Sequence, residues 1–172
     1  MIDASRGFGN GLLLPAGPLR EPIARLREVD AVVRLVANDQ PRPSIANGRE
    51  FLMTHVPLPW RNLKHPDLDA SPAQWQGKGV HALSGIGNPQ RFFDMVAAQG
   101  IKATLHAFPD HHDFSAEDIA LPGAIAILMT QKDAVKCAAF ADERCWYLPL
   151  HAIIDPALVA LALEKIHGFK TS

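Results

Sequence analysis

From residue 80 onward, the sequence alternates between short apolar runs and signals that start helices. Residues 80–84 (VHALS) are predicted to form a strand that ends at Gly85-Ile86-Gly87, and Asn88-Pro89 then opens a helix, with Asn88 as its N-cap. The same order continues with strands predicted at 102–108, 124–129 and 145–148 and helices predicted at 115–121, from 130 and from 156 to about 167. Strands that alternate with helices are typical of an α/β fold with a mostly parallel sheet. The sequence therefore predicts a three-layer α/β/α domain.

The first 79 residues are less regular. A short strand end at Ile2-Asp3 precedes a Gly/Pro-rich loop at 6–19. A helix is predicted at 20–28, strands at 31–36 and 51–56, a polar loop between these strands, and an irregular linker at 57–79. Because a domain seldom starts at the end of a strand, we expect further protein upstream of Met1.

Composition narrows the possible classes of protein. The 172 residues are 48% hydrophobic and carry a formal net charge of −1, which excludes a disordered chain and a dedicated nucleic-acid-binding protein. Cys137 and Cys145 are the only cysteines, a usage typical of a cytosolic protein. The sequence has neither the apolar run of a signal peptide nor that of a transmembrane helix.

Ligands of parallel α/β sheets bind at the carboxyl ends of the strands, and three loops are predicted there. The loop FPDHHDF (108–114) places Asp110 beside His111, an arrangement suited to a general base that a carboxylate orients. The same residues would also suit part of a metal site, or a polar turn in which Asp113 or Ser115 caps a helix. Composition alone leaves these three interpretations open.

The other two loops and one N-terminal segment are further candidates. Gly85, Gly87 and Asn88 could present amide N–H groups to an anion, or could simply form a tight turn. Lys132 and Asp133 begin a helix, where they could bind a ligand or serve as a cap and a solvated face. Arg20, with Arg6 nearby, could bind a phosphate, or could form an ordinary ion pair with Glu21.

Taken in order, five blocks of this sequence resemble one enzyme family. They are RGFGNGLLLPAGPLREP (6–22), VHALSGIGNPQRFF (80–93), HAFPDHHDFSAEDI (106–119), LMTQKDAVKCAAFA (128–141) and WYLPLHA (146–152). The chain is similar to the C-terminal half of tetraacyldisaccharide 4′-kinase, the lipid A 4′-kinase of Gram-negative bacteria. Gln131 departs from the family, which usually has Glu at that position.

The resemblance implies an activity and its location. The family transfers a phosphoryl group from ATP, with Mg²⁺, to the 4′-hydroxyl of a tetraacyldisaccharide 1-phosphate and so makes lipid IVA. This reaction belongs to lipid A biosynthesis, and the family works as peripheral proteins on the cytoplasmic face of the inner membrane. Expected partners are therefore the lipid A disaccharide 1-phosphate precursor and the membrane surface, with no nucleic acid and no metal held by this chain.

The resemblance also implies that an N-terminal half is absent. That half would carry the phosphate-binding loop (P-loop) of the family, and no G-x-x-x-x-G-K-[ST] motif occurs in these 172 residues. Residues 1–36 are then the remnant of the kinase domain, 37–79 a linker with hinge strands, and 80–172 the C-terminal α/β domain. We expect the chain alone to lack kinase activity.

The resemblance assigns roles to individual residues as well. His111, preceded by Asp110, matches the family histidine that assists catalysis together with an Asp from the N-terminal half, and His112 follows it. Arg20 and Glu21 match the Arg-Glu pair that lies near nucleotide and substrate. Weaker candidates for the disaccharide phosphate are Lys132, Asp133 and the turn 85–88.

Two other classes of function compete with this reading. One is a catalytically inactive α/β binding module, or pseudoenzyme, descended from a kinase. The other is a hydrolase that uses Asp110 and His111 with a metal ion.

Overall fold

The computed structural model describes residues 1–4, 6–36 and 50–168. Their strands are β1 (Ile2–Asp3), β2 (Val32–Leu35), β3 (Glu50–Pro57), β4 (Trp60–Asn62), β5 (Asp69–Ala70), β6 (Val80–Ser84), β7 (Ala103–Ala107), β8 (Ala126–Thr130), β9 (Cys145–Leu148) and β10 (Leu150–Ile154). Their α-helices are α1 (Pro89–Ala98), α2 (Gln131–Cys137) and α3 (Pro156–His167), and short 3-10 helices span Ile23–Arg27, Pro72–Trp75 and Ala116–Ile119.

The chain divides into two compact units. One unit is Pro57–Leu150, and the other combines Met1–Val56 with His151–Ser172. These units do not coincide with the predicted segments 1–36, 37–79 and 80–172, whose assignment to a kinase-domain remnant, a hinge and a C-terminal domain stays a prediction.

The unit of residues 57–150 is built on a six-stranded sheet in the order β5-β4-β9-β8-β6-β7. Strands β7, β6, β8 and β9 are parallel to one another, whereas β4 runs antiparallel to β9 and β5. Because side chains alternate along a strand, β8 sends Leu128 into the core on the α1 side and Ile127 and Met129 into the core on the α2 side. Helices therefore cover both faces, which confirms the three-layer α/β/α prediction.

The other unit contains a sheet in the order β1-β2-β3-β10, in which β1, β2 and β3 are parallel. Helix α3 matches its predicted span. Asp155 Oδ1 accepts a hydrogen bond from Ala157 N (2.9 Å) at its start, and Gly168, with φ of +65°, ends it. None of the helices within residues 1–4, 6–36 and 50–168 is long and apolar enough to cross a membrane.

Three local predictions were wrong. The segment 57–79 is not an irregular linker, because β4 and β5 extend the sheet and a 3-10 helix follows them. The predicted helix at 20–28 is a short 3-10 helix (Ile23–Arg27), and the strand β10, which follows β9, was not predicted. The loop predicted between the strands at 31–36 and 51–56 lies outside the described residues.

Two tryptophans explain why the segment 57–79 belongs to the core. Trp60 is fully buried and Trp75 is 4% exposed, and their rings meet edge to face at 5.7 Å. The Trp60 indole also donates a hydrogen bond to Gln99 Oε1 (2.8 Å). Burial of rings this large contributes several kcal/mol, so these residues anchor this part of the sheet.

Candidate functional site

The three predicted loops meet at one edge of the parallel sheet. The turn after β6, the loop after β7 and the start of α2 after β8 all follow the carboxyl ends of neighbouring parallel strands. This is the edge where ligands of α/β sheets bind. Hydrogen bonds join all three segments, so the segments form one candidate site.

Gly85 is the point where the segments converge. Its N–H donates to Asp133 Oδ2 (3.2 Å), and its carbonyl oxygen accepts from His111 N–H (3.3 Å). A Cβ atom at this position would lie 3.1 Å from the Phe114 ring. A larger residue here would require the Phe114 ring to move by a few tenths of an ångström, and the Gly85 N–H already has an acceptor inside the protein.

The rest of this turn differs from the prediction at the helix cap. Asn88 occupies the N-cap position of α1, but its side chain makes no capping hydrogen bond. The assignment of ligand binding to Gly85, Gly87 and Asn88 stays a prediction. The Gly85 N–H is already hydrogen-bonded to Asp133, and Gly87 and Asn88 follow it in the turn.

His111 projects from the loop after β7. Its side chain is 77% exposed, and its backbone is left-handed, with φ of +64°. Its Nε2 lies 3.8 Å from Asp110 Oδ2, and its own N–H donates to Asp110 Oδ1 (3.1 Å). The imidazole is thus accessible to a substrate and lies beside a carboxylate.

The Asp110 carboxylate contacts both Lys132 and His111. Lys132 Nζ donates to its Oδ1 (3.4 Å), while His111 contacts it through the backbone and the ring. Desolvation alone would raise the pKa of the Asp110 carboxyl. The charges of Lys132 and His111, together with their hydrogen bonds, outweigh that effect and lower its pKa. Asp110 therefore stays ionised.

His112 has a different environment from its neighbour. Its Nε2 lies 3.2 Å from Asp118 Oδ2, its ring stacks on Phe108 at 4.6 Å between centroids, and its carbonyl oxygen accepts from Lys136 Nζ (2.7 Å). Sequence reasoning missed Asp118 and Lys136. The spacing Ser115-x-x-Asp118 is a capping-box pattern and could have identified the first of them.

Lys132 and Asp133 are adjacent in the first turn of α2 but point to different places. The Lys132 side chain is half exposed and reaches Asp110. Asp133 has no exposed surface, and its Oδ2 accepts from Thr130 Oγ1 (2.7 Å) as well as from Gly85 N–H. The Asp133 carboxylate therefore lies under the site rather than on its surface.

The remaining candidates lie in the other unit. Arg6, Arg20 and Glu21 line an open groove of about 740 Å³. Glu21 pairs with Arg25 (3.5 Å), so the ordinary Arg20–Glu21 ion pair that the sequence allowed is not the pairing found. Both arginines are exposed.

A family model for tetraacyldisaccharide-1-P 4′-kinase matches residues 1–167. The chain belongs to this family. The resemblance noted from the five sequence blocks is thereby confirmed.

Individual relatives support the same assignment. The tetraacyldisaccharide 4′-kinase of Methylobacillus flagellatus is 45% identical over 166 residues, which are 96% of this chain and 48% of that protein. The corresponding Pseudomonas aeruginosa kinase is 47% identical over 163 residues, which are 93% of this chain and 46% of that protein. The chain thus spans about half the length of these tetraacyldisaccharide 4′-kinases.

A solved structure extends the likeness to the fold. The chain is similar to LpxK from Aquifex aeolicus in complex with ATP, with a TM-score of 0.70 and 25% identity. The match covers 94% of this chain and 50% of the Aquifex protein.

The residues of this family member do not fit a magnesium ion at the His111 loop. Magnesium is held by carboxylates and phosphate oxygens, and the one carboxylate beside His111 already faces the Lys132 ammonium. No group of three or more His, Cys, Asp or Glu side chains that could hold a metal ion occurs in the described part of the chain.

Proposed function

We propose that this chain supplies the acid–base and substrate-facing part of an ATP-dependent tetraacyldisaccharide 4′-kinase of lipid A biosynthesis. The observation that carries the proposal is the exposed His111 imidazole beside an Asp110 carboxylate, at the ligand edge of the sheet, in a member of this kinase family. ATP would be the phosphoryl donor, since the similar Aquifex structure is a complex with ATP.

Phosphoryl transfer requires mainly that the protein position the two substrates and provide a proton acceptor. The 4′-hydroxyl oxygen of the disaccharide forms a bond to the γ-phosphorus of ATP, and the bond from that phosphorus to the β–γ bridging oxygen breaks. ADP leaves, and the hydroxyl proton passes to His111. Because His111 Nε2 faces Asp110, we assign the other ring nitrogen, Nδ1, as the acceptor. Asp110 orients the ring and stabilises the imidazolium that forms.

The cationic side chains suit the anionic substrates. We assign Arg20 and Arg6 to nucleotide or lipid phosphate because guanidinium groups bind phosphate oxygens in pairs, and Glu21 to the same groove. Lys132, close to Asp110, is a candidate for the lipid 1-phosphate. The lipid substrate would bring the protein to the cytoplasmic face of the inner membrane as a peripheral protein.

A chimera tests the proposal. The present chain replaces the matching 163 residues of the Pseudomonas aeruginosa kinase, and phosphoryl transfer from ATP to tetraacyldisaccharide 1-phosphate is measured in detergent micelles. We expect the chimera to be active. His111→Asn should lower its kcat by about a hundredfold or more, since general base catalysis contributes ~10²–10⁴-fold. The isolated 172-residue chain should give no turnover, because it contains no P-loop motif.

His151→Asn is the matched control, because His151 is another exposed histidine outside the site, and it should leave kcat unchanged. An active chimera whose kcat survives His111→Asn would refute the assignment of the base. A folded but inactive chimera that still binds the lipid in calorimetry would favour the inactive binding module instead.

A further inference from the structure

Helix α2 contacts the His111 loop at successive positions. Lys132, at its start, reaches the side chain of Asp110, and Lys136, one turn later, donates to the carbonyl oxygen of His112 (2.7 Å). Asp133 lies between these two lysines in sequence. The residues on either side of His111 are thus held directly by α2, and His111 itself is held through Gly85.

The connection through Gly85 is a chain of two hydrogen bonds. Asp133 Oδ2 accepts from Gly85 N–H (3.2 Å), and the carbonyl oxygen of Gly85 accepts from His111 N–H (3.3 Å). Asp133 is fully buried, so water does not compete for the first bond. A hydrogen bond to a buried carboxylate is stronger than one between neutral groups.

The backbone at His111 needs such support. Its φ of +64° lies in the left-handed region, which costs a non-glycine residue free energy unless its surroundings hold it there. Gly85 is held by hydrogen bonds at both its N–H and its carbonyl oxygen, and the space beside its Cα is bounded by the Phe114 ring and the Cβ atom of His112. The position of Gly85 is therefore transmitted to His111.

We propose that Asp133 is a positioning residue for His111, acting through Gly85 rather than by touching the substrate. Its catalytic consequence rests on the proposed function, whereas its structural consequence does not. The competing explanation is that Asp133 only completes the cap of α2 with Thr130, whose Oγ1 accepts from Asp133 N–H (3.2 Å). A cap alone would stabilise the helix without affecting His111.

NMR on the 172-residue chain tests the structural part. Asp133→Ala removes the acceptor for Gly85 N–H, whereas Asp133→Asn keeps a neutral side-chain oxygen there. We expect Asp133→Ala to speed hydrogen exchange of the Gly85 amide by about tenfold or more and to shift the backbone resonances of His111. Asp133→Asn should give intermediate exchange and a smaller His111 shift. Cys137→Ala is the control, a substitution at another buried site on the same helix that should change neither signal.

Activity of the chimera tests the catalytic part. Misplacement of a catalytic group by about 1 Å costs up to ~100-fold in rate. We expect Asp133→Ala to lower kcat by about ten- to a hundredfold with KM changed less than about twofold. Asp133→Asn should recover most of kcat, and Cys137→Ala should leave it unchanged.

The proposal is overturned if the His111 resonances do not move in Asp133→Ala, if Asn rescues nothing, or if Cys137→Ala has the same effects. Should Asp133→Ala fail to fold, Asp133→Asn decides alone, and an unmoved His111 with a shifted Gly85 amide refutes the link. A chimera that is inactive without any substitution contradicts the proposed function, while the NMR result still decides whether Asp133 positions His111.

Discussion

His111 and His112 are chemically identical neighbours with different surroundings. Asp118 and Phe108 fix the ring of His112, whereas the ring of His111 is 77% exposed beside Asp110. The sequence predicted a site in this loop because two histidines and two carboxylates follow a strand. The structure shows that the His112 ring is packed and the His111 ring is accessible. The sequence could not show this difference, because it depends on which aromatic side chains pack against each ring.

A second histidine pair, outside the site, gives a prediction about pH. His81 Nδ1 and His106 Nε2 lie 2.9 Å apart on β6 and β7. Burial, followed by the charge of His81, lowers the pKa of His106. At this site the unfolded chain therefore binds a proton at higher pH than the folded chain does. Protonation of His106 thus lowers the free energy of unfolding as pH falls below the unfolded pKa of about 6.5.

We expect the free energy of unfolding, measured by urea denaturation, to fall between pH 7 and pH 5. His106→Gln should reduce that slope, because it removes the group whose pKa is lowered. His151→Gln serves as the control for an exposed histidine. An unchanged slope in His106→Gln would show that other groups cause the pH dependence.

At the scale of elements, the first turn of α2 serves two purposes. Thr130 Oγ1 accepts the Asp133 N–H as an N-cap and donates to the buried Asp133 carboxylate. Thr130→Ala therefore removes a cap and leaves a buried carboxylate without one of its donors. We expect a loss of about 2 kcal/mol in unfolding free energy by urea denaturation, against about 1 kcal/mol for Ser115→Ala at the exposed cap.

Thr130→Ser tests the cause of that loss. Serine keeps the hydroxyl that makes both hydrogen bonds, so it should cost less than about 1 kcal/mol. Equal losses for Ser and Ala at position 130 would attribute the effect to the threonine methyl group instead.

The sequence predicted the long elements better than the short ones. The strands at β6 and β8 and the helices α1 and α3 carry clear apolar patterns or Pro and Gly boundaries, and they were predicted within a few residues. Strands β4 and β5 are three and two residues long in a proline-rich segment, so no periodicity marks them. The burial of Asp133 was also missed, because a carboxylate in the first turn of a helix is normally exposed; the spacing Thr130-x-x-Asp133 was the available signal.

Within the whole molecule, residues 57–150 are one continuous segment that runs from the last residue of β3 to the first residue of β10. The two ends of this unit lie next to each other, because Leu58 N–H donates a hydrogen bond to the carbonyl oxygen of Pro149 (3.0 Å). The unit has a core on each face of its own sheet. A continuous segment that has its own hydrophobic core can fold independently of the rest of the chain.

We therefore expect a protein of residues 57–150 to fold and to unfold cooperatively on heating, as followed by circular dichroism. Trp60→Ala should abolish that transition, because loss of a fully buried tryptophan costs about 3–5 kcal/mol and Trp60 contacts both Trp75 and Phe92. Val135→Ala, at an exposed position, is the control. Absence of a cooperative transition in the unsubstituted segment would contradict its independence.

The left-handed backbone at His111 limits which substitutions this position tolerates without strain. Asparagine and glycine adopt that conformation at little cost, whereas valine and isoleucine do not. Under the proposed function, His111→Asn would lower kcat by about a hundredfold or more and leave the melting temperature unchanged, because asparagine tolerates the same backbone. Selection for folding alone would therefore not remove this substitution, although selection for activity would.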